Sequence, residues 1–257
     1  MKRLPRRLRH DEEATLVEHL DELRTRLIIC LVSVALALIV TYVFHDRILH
    51  WLNRPLPARL RHPVTFGVAE PFLTTFWVAI WAAFLLALPV IMWQIWSYLA
   101  PAFNESVQRS VVWLVVTAAV LGVAGLAFGY FVVLPPAIHY LTNFGRNNFQ
   151  IYVRARDYYS FVSTALLAVT IVFEVPLFIL GLIRLRVLSA EKLRKGRRVG
   201  YVIMFALAVA LPGVDPVTTT IEGVALLILF EVTIWVARLL DRRWRAEAAH
   251  PATISEP

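Results

Sequence analysis

Four long apolar segments constrain the fold of this chain more than any other feature. They cover residues 27–44, 72–99, 110–134 and 158–183. A helix needs ~20 apolar residues to cross the ~30 Å hydrocarbon core of a bilayer, and each segment is close to that length or exceeds it. Apolar residues make up 59% of the chain and charged residues only 17%, which excludes an ordinary soluble domain. We therefore predict an all-α integral membrane protein, with one membrane domain over residues 1–257.

Two further apolar segments follow, at 199–211 and 217–237. The first has 13 residues and would rise only ~20 Å as a helix, so it is too short to span a bilayer alone. The second is interrupted by Glu222 and Glu231. We expect a short helical hairpin, which gives six transmembrane helices of which the last two are short. Residues 1–15 and 246–257 are predicted to be flexible cytoplasmic tails.

The basic residues predict the orientation in the membrane. Of the 26 Lys and Arg residues, nineteen lie in the N-terminal segment, the second and fourth connections and the C-terminal segment. The first and third connections hold the other seven. Because Lys and Arg collect on the cytoplasmic side, both termini are predicted to be cytoplasmic. The net charge of +8 is therefore interpreted as a topology signal, and no nucleic-acid partner is expected.

A charged helix is predicted ahead of the first span. Thr15 and Glu18 match a capping box, so the helix should begin near Leu16. Glu18 and Glu22 share one face of it. From spacing alone, Glu22 can equally pair with Arg26 one turn further on and have no other role.

Acidic residues inside the apolar segments are candidates for function. Glu174 lies ten residues before Arg184, which places it ~15 Å deep in the membrane. An ionisable group at that depth is costly and is a functional candidate by default, although a neutral, hydrogen-bonded structural glutamate is the alternative. Pro176 removes a backbone donor two residues later and predicts a kinked, polar notch.

The last hairpin carries further polar candidates. Asp215, Thr219 and Glu222 follow one another at i, i+4 and i+7, and Glu231 lies further along. These three residues share a face if the helix begins as early as Asp215. A turn-forming role explains Asp215 equally well.

Catalytic and metal-binding motifs are absent from the sequence. The histidines are scattered without a zinc motif, there is no phosphate-binding loop or nucleophile elbow, and Cys30 is the single cysteine. We expect no enzyme activity and no cofactor. From the residues alone, a proton-coupled small-molecule transporter with Glu174 as proton carrier stays open. Such transporters usually have repeated halves, which this sequence lacks.

Five stretches carry a family resemblance over roughly residues 16–240. Residues 18–27 read EHLDELRTRL, residues 173–176 read FEVP, and residues 129–135 read GYFVVLP. The other two stretches are residues 89–102, which begin with Pro89, and residues 230–231, which read FE. Together they resemble the C subunit of the twin-arginine protein translocase, whose first motif is HLxELRxRL.

The resemblance implies a function and a shape. The family binds twin-arginine signal peptides at an acidic cytoplasmic site and works with single-span partner subunits of the TatA and TatB type. It transports folded proteins across the inner membrane using the proton motive force, as a concave, cup-like bundle within a multimeric receptor complex.

The resemblance also implies site residues. Glu22 is the glutamate of the HLxELR motif, with His19 and Arg24 beside it. The second acid of the family comes from the first cytoplasmic loop; its aligned position is Val107 here, and Glu105 is the nearest acid and is predicted in its place. Contacts with partner subunits, or polar sites in the membrane, are implied for Glu174, Pro176, Asp215, Thr219, Glu222 and Glu231. The family often has a glutamine where this chain has Thr219.

Overall fold

The structure is a computed structural model that describes residues 16–99, 111–184, 188–213 and 215–249. The described part contains ten α-helices and no strand beyond a single β-bridge between Val64 and Arg154, which confirms the all-α prediction there. The helices are α1 Leu16–Val43, α2 His45–Leu52, α3 Glu70–Leu99, α4 Val111–Phe128, α5 Leu134–Asn143, α6 Ala155–Phe173, α7 Val175–Arg184, α8 Ala190–Lys195, α9 Arg197–Ala210 and α10 Pro216–Ala249.

Five stretches of the described residues are long and apolar enough to cross a membrane. They are His19–Val43, Glu70–Tyr98, Val115–Asn143, Ala155–Arg184 and Pro216–Asp241. They overlap the predicted first, second, third, fourth and sixth spans. The predicted fifth span coincides with α9, which has only 14 residues. The count of six spans therefore stays a prediction.

The last helix corrects the prediction that both final helices are short. α10 is continuous over 34 residues and ends four residues into the segment predicted as a tail. Glu222 and Glu231 do not interrupt the helix, because their side chains are buried or paired and leave its backbone hydrogen bonds intact. Beyond Asp241 the chain is rich in Arg and Ala, which favour a helix in water. Residues 1–15 and 250–257 lie outside the described residues.

Pro135 and Pro136 directly follow the third apolar segment, and their residue type predicts that its helix ends there. The structure corrects this expectation. A π-helical turn over Gly129–Val133 carries the chain into α5, and the Leu134 amide donates to the Gly129 carbonyl. The prolines then lie in the first turn of α5, where a missing N–H costs no helical bond. A π-helical turn holds one residue more than an α-helical turn. Helical structure therefore continues through the two prolines to Asn143.

The fourth span breaks where Pro176 predicted a notch. α6 ends at Phe173 and α7 begins at Val175, so Glu174 lies in the break. The amides of Leu177 and Phe178 donate to the Glu174 carbonyl at 3.0 and 3.2 Å, which restarts the helix. At this break, the polar side chain of Glu174 lies in the interior of the bundle.

Helix α3 lies at the centre of the packing. It contacts α1, α4 and α6, while α9 and α10 pair with each other and contact the rest through α5, α6, α7 and α8. The outer faces are apolar: Leu36 and Ile39 on α1 and Val202 and Trp235 on the hairpin are all at least 60% exposed. Apolar faces of this extent are expected to contact lipid.

The first and third connections are joined to each other. Between α2 and α3 the proline-rich chain has only a 3₁₀ turn, and Val64 pairs with the Val153–Ala155 backbone. Glu70 Oε1 accepts a hydrogen bond from Arg154 Nε at 2.8 Å. This hydrogen bond raises the pKa of Arg154 and favours its charged form. The pair fixes the start of α3 against the start of α6.

Candidate functional site

The predicted peptide-binding residues lie where the start of α1 contacts the end of α3. Arg26 donates from Nε and Nη2 to Glu22 Oε1, at 3.0 and 2.5 Å. The same guanidinium reaches across to α3, donating from Nη1 to Gln94 Oε1 at 3.3 Å and from Nη2 to the Ser97 carbonyl at 3.1 Å. Arg26 therefore fixes Glu22 and holds the two helices together.

A second contact joins the same helices one turn before Glu22. The imidazole of His19 stacks on the Tyr98 ring with centroids 4.6 Å apart. The Tyr98 hydroxyl lies 2.6 Å from His19 Nε2, within hydrogen-bond distance. Glu22 is thus held between two anchored neighbours on α1.

The Glu22 carboxylate keeps bonding capacity. Its side chain is 29% exposed, and both Arg26 bonds end on Oε1. No described residue donates a hydrogen bond to Oε2. The pairing of Glu22 with Arg26 that the spacing allowed is therefore confirmed, and it leaves one oxygen free to accept an external donor. Arg24, in the same motif, is exposed on α1.

Glu105 cannot be placed, because residues 100–110 lie outside the described residues. The segment connects the end of α3 to α4, so it begins directly after Leu99, the neighbour of Tyr98. Its proximity to Glu22 stays a prediction.

Glu174 lies in the bundle interior, apart from the other acids. It is 1% exposed, and neither carboxyl oxygen has a hydrogen-bond partner in the described part of the chain. A Cβ built on Gly122 of α4 would come within 3.1 Å of Glu174 Oε1 and 2.8 Å of Leu88 Cδ2, so only glycine leaves room for the carboxyl there. Pro176 lies in the first turn of α7 and places Glu174 at the break.

Glu231 is paired across the hairpin. Arg197 of α9 donates from Nη2 to Glu231 Oε2 at 3.1 Å, and the Tyr201 hydroxyl donates to Oε1. Glu231 and Tyr201 line a groove between α9 and α10 whose other walls are apolar, including Phe205 and Ile228. The groove thus combines a long apolar surface with one polar position.

The turn before α10 brings together another set of polar residues. Asp215 Oδ1 accepts from the Thr218 amide at 2.8 Å and caps the helix. Thr219 shares the predicted face, but its hydroxyl donates to the Asp215 carbonyl at 3.1 Å and stays on its own helix. Asp215 and Glu222 are each 2% exposed. The residue beside them is Thr218, which the sequence analysis did not select.

Sequence reasoning missed the partners of the predicted residues. Gln94, Ser97 and Tyr98 lie 68 to 79 positions from their α1 partners, and spacing carries no signal over that distance. Arg197 and Tyr201 were likewise not linked to Glu231. Among the described residues, no group of three or more His, Cys, Asp or Glu is placed to hold a metal ion.

Comparisons with known proteins agree on one family. The family model described as Sec-independent protein translocase protein (TatC) matches residues 18–224. The TatC protein of Carboxydothermus hydrogenoformans is 33% identical over 231 residues, which cover 90% of this chain and 95% of the relative. TatC of Escherichia coli K12 is 32% identical, covering 89% and 90%.

A crystal structure of the twin-arginine translocase receptor TatC in DDM superposes with a TM-score of 0.76. It is 28% identical, and the match covers 85% of this chain and 99% of that one. Both the sequence and the arrangement of helices thus match over most of the chain. The protein therefore belongs to the Sec-independent protein translocase TatC family, and is a multi-pass membrane protein of twin-arginine protein transport.

Proposed function

We propose that this chain is the receptor subunit of the translocase and that it binds twin-arginine signal peptides at the α1–α3 surface around Glu22. The observation that carries the proposal is the state of the Glu22 carboxylate. Its Oε1 is fixed by Arg26, while Oε2 is unoccupied among the described residues and the side chain is 29% exposed. A carboxylate in this state is oriented before a ligand arrives, which lowers the cost of binding.

Arginine suits this carboxylate better than lysine does. A guanidinium presents several N–H donors in a plane and forms charge-assisted bonds to carboxylates, whereas an ammonium acts as a point charge. Arg26 already illustrates the geometry, because one guanidinium reaches Glu22, Gln94 and the Ser97 carbonyl together. We expect a peptide arginine to approach Oε2 from the exposed side.

Apolar side chains beside Glu22 suit the rest of a signal peptide. Leu20, Leu23 and Leu27 are exposed on α1. Signal peptides carry an apolar region after their basic residues. A peptide that places its arginines on Glu22 can therefore rest its apolar region along α1.

The second arginine is assigned to Glu105, with His19 and Arg24 shaping the site. Two guanidinium groups require two acidic partners, and Glu105 is the acid nearest the position that the family uses. The stacking of His19 on Tyr98 holds the end of α3, from which the 100–110 loop departs. Arg24 is free on the surface to orient the peptide backbone or a partner.

Single-span partners of the TatA and TatB type are proposed to dock at the intramembrane polar residues. The groove with Glu231 offers an apolar wall and one polar position, which suits a helix with a single polar side chain. A second such contact is assigned to Glu174 in the break marked by Pro176. The α9–α10 turn, with Asp215, Thr219 and Glu222, is the third candidate. Hydrogen bonds between helices in membranes are worth ~1 kcal/mol each.

The remaining parts of the proposal concern topology and energy. We place the chain in the inner membrane as a cup-like bundle of six spans, with both termini in the cytoplasm, self-assembling into a multimeric receptor complex. Transport of folded proteins then uses the proton motive force. The family is one of protein transport, which argues against the small-molecule transporter and the intramembrane enzyme.

Photo-crosslinking tests the receptor assignment. A twin-arginine signal peptide with a probe beside its arginines is added to the purified full chain, and a twin-lysine peptide serves as the control. We expect crosslinks near Glu22 and in the 101–109 loop that the twin-lysine peptide does not give. Equal crosslinking by both peptides would contradict recognition of arginine by this site.

A further inference from the structure

The turn end of the α9–α10 hairpin contains buried oxygen atoms that no described residue satisfies. Thr218 is 0% exposed and Glu222 is 2% exposed. Within the described part of the chain, Thr218 Oγ1, both Glu222 oxygens and Asp215 Oδ2 have no hydrogen-bond partner. A buried polar group without a partner costs about 1–3 kcal/mol, and an ion costs more. The cost is repeated over three neighbouring side chains, so a neutral acid is cheaper to bury there than an ion.

These side chains occupy one small region. Thr218 and Glu222 are one helical turn apart, and both lie against Gly213 in the turn. A Cβ built on Gly213 would be 3.0 Å from Thr218 Cγ2 and 3.7 Å from Glu222 Oε2. Asp215 is tied to Thr218 by its cap bond and acts electrostatically on Glu222. The Thr218 hydroxyl is thus a neutral polar group beside the two acids.

No basic residue faces Glu222 from the described helices that pack on α10. Arg197 and Arg198 lie at the opposite end of α9, and the end of α7 and α8 pack near Ala237. On α6, Tyr158 and Tyr159 donate to Leu52 and Asn53, and Glu174 lies against α4. On α5, His139 is exposed and Tyr140 stacks on Phe144. Asp215 is therefore the charged neighbour that decides the state of Glu222.

The two acids are not equivalent. Asp215 caps α10, because its Oδ1 accepts from the Thr218 amide at the start of the helix. Glu222 lies in the second turn, in apolar surroundings and near a second acid, and no described residue donates to its oxygens. A buried carboxyl in such surroundings costs less as the neutral acid than as the ion.

We propose that Glu222 is a proton-binding site, with the acidic side chain of Asp215 and the hydroxyl of Thr218 beside it. The proton leaves Glu222 for water at the turn, where Leu211, Pro212 and Gly213 are partly exposed, and the O–H electron pair stays on the carboxylate. The site goes beyond peptide recognition and does not depend on it, since it concerns the opposite end of α9 from Arg197.

Infrared spectroscopy of the full chain in detergent reads this proton directly. A protonated carboxyl group has a carbonyl band that shifts in D₂O. At mildly acidic pH, Glu222→Gln should lose the intensity of one protonated carboxyl, whereas Asp215→Asn should retain it. The matched control is Glu231→Gln, because Glu231 is an acid of the same helix that is paired with Arg197 and should contribute no such band.

The outcomes decide the proposal. An unchanged band in Glu222→Gln means that Glu222 is ionised and overturns it; an equal loss in Asp215→Asn assigns the proton to Asp215 and overturns it too. If Glu222→Gln does not fold, the carbonyl band is instead followed as the pH is raised, in the wild type and in Asp215→Asn. Without the acid at 215, Glu222 should lose its proton, and the band should disappear, at a lower pH than in the wild type. An unchanged midpoint of this titration contradicts the proposal.

Discussion

The polar residues of the α1–α3 contact and those buried in the membrane segments are treated in opposite ways by the fold. Around Glu22, the guanidinium of Arg26 and the ring of His19 have partners on α3, and the Glu22 side chain is partly exposed with one oxygen that no described residue donates to. Glu174 and Glu222 are almost fully buried and have no hydrogen-bond partner among the described residues. The first arrangement orients a group toward an incoming ligand. The second keeps an energetic cost that a proton or a partner helix can relieve.

The largest expected effect is at Glu22. Glu22→Gln should stop transport of a twin-arginine cargo, because the neutral amide loses the charge that attracts a guanidinium. Asp21→Asn is the matched control, since Asp21 is the adjacent acid on α1 and its side chain is exposed. Transport into inverted membrane vesicles measures both. Equal loss of transport in the two variants would assign the effect to general charge rather than to Glu22.

The buried acids should behave differently. Glu174→Leu should raise the free energy of unfolding in detergent by about 1–3 kcal/mol, because it removes an unsatisfied buried carboxyl. The same change should impair transport, whereas Glu174→Gln should preserve much of it, because an amide still hydrogen-bonds a partner helix. Thermal unfolding and a transport assay check the pair. A destabilised Glu174→Leu protein would show that the carboxyl supports the fold.

Glu231 sharpens the comparison because it is a membrane-segment acid that has partners. Glu231→Leu should lower the free energy of unfolding by about 1–2 kcal/mol, since it leaves Arg197 and Tyr201 without their acceptor. The sign is opposite to that expected for Glu174→Leu. Parallel unfolding curves in one detergent test the difference. An increase in stability here would mean that pairing is not what distinguishes the two acids.

The smallest effect is expected at Tyr98. Tyr98→Phe removes the hydroxyl near His19 but keeps the stacking, so the loss should be about 0.5–1.5 kcal/mol. It should appear as faster amide exchange at the start of α1, with little change at α6. If amide exchange became faster uniformly across the protein, the substitution would have lowered global stability rather than weakened this contact.

The sequence predicted the elements that depend on local chemistry. Apolar run length located five candidate membrane segments, and Pro176 predicted the break at Glu174. The expectation that Pro135 and Pro136 end the helix was wrong because a π-helical turn precedes them and places them in the first turn of the next helix. Residue type alone does not reveal such a turn. Glu222 and Glu231 misled about the length of α10 because their surroundings come from tertiary structure.

The same division applies to the candidate site. The motif that contains Glu22 is readable in the sequence, and the i, i+4 spacing to Arg26 is too. The contacts of Arg26 with Gln94 and Ser97 depend on how α1 docks on α3, and no local pattern encodes that. Thr218 was overlooked because its neighbour Thr219 fitted the expected helical spacing, whereas the hydroxyl of Thr219 bonds back to its own helix.

Equilibrium binding of twin-arginine and twin-lysine signal peptides to the wild type and to Glu22→Gln tests the central claim most directly. Charge-assisted hydrogen bonds are worth about 1.5–3 kcal/mol, so the wild type should prefer the arginine peptide by roughly 10- to 100-fold. In Glu22→Gln most of that preference should disappear. A variant that keeps the full preference for arginine would show that Glu22 does not read the peptide.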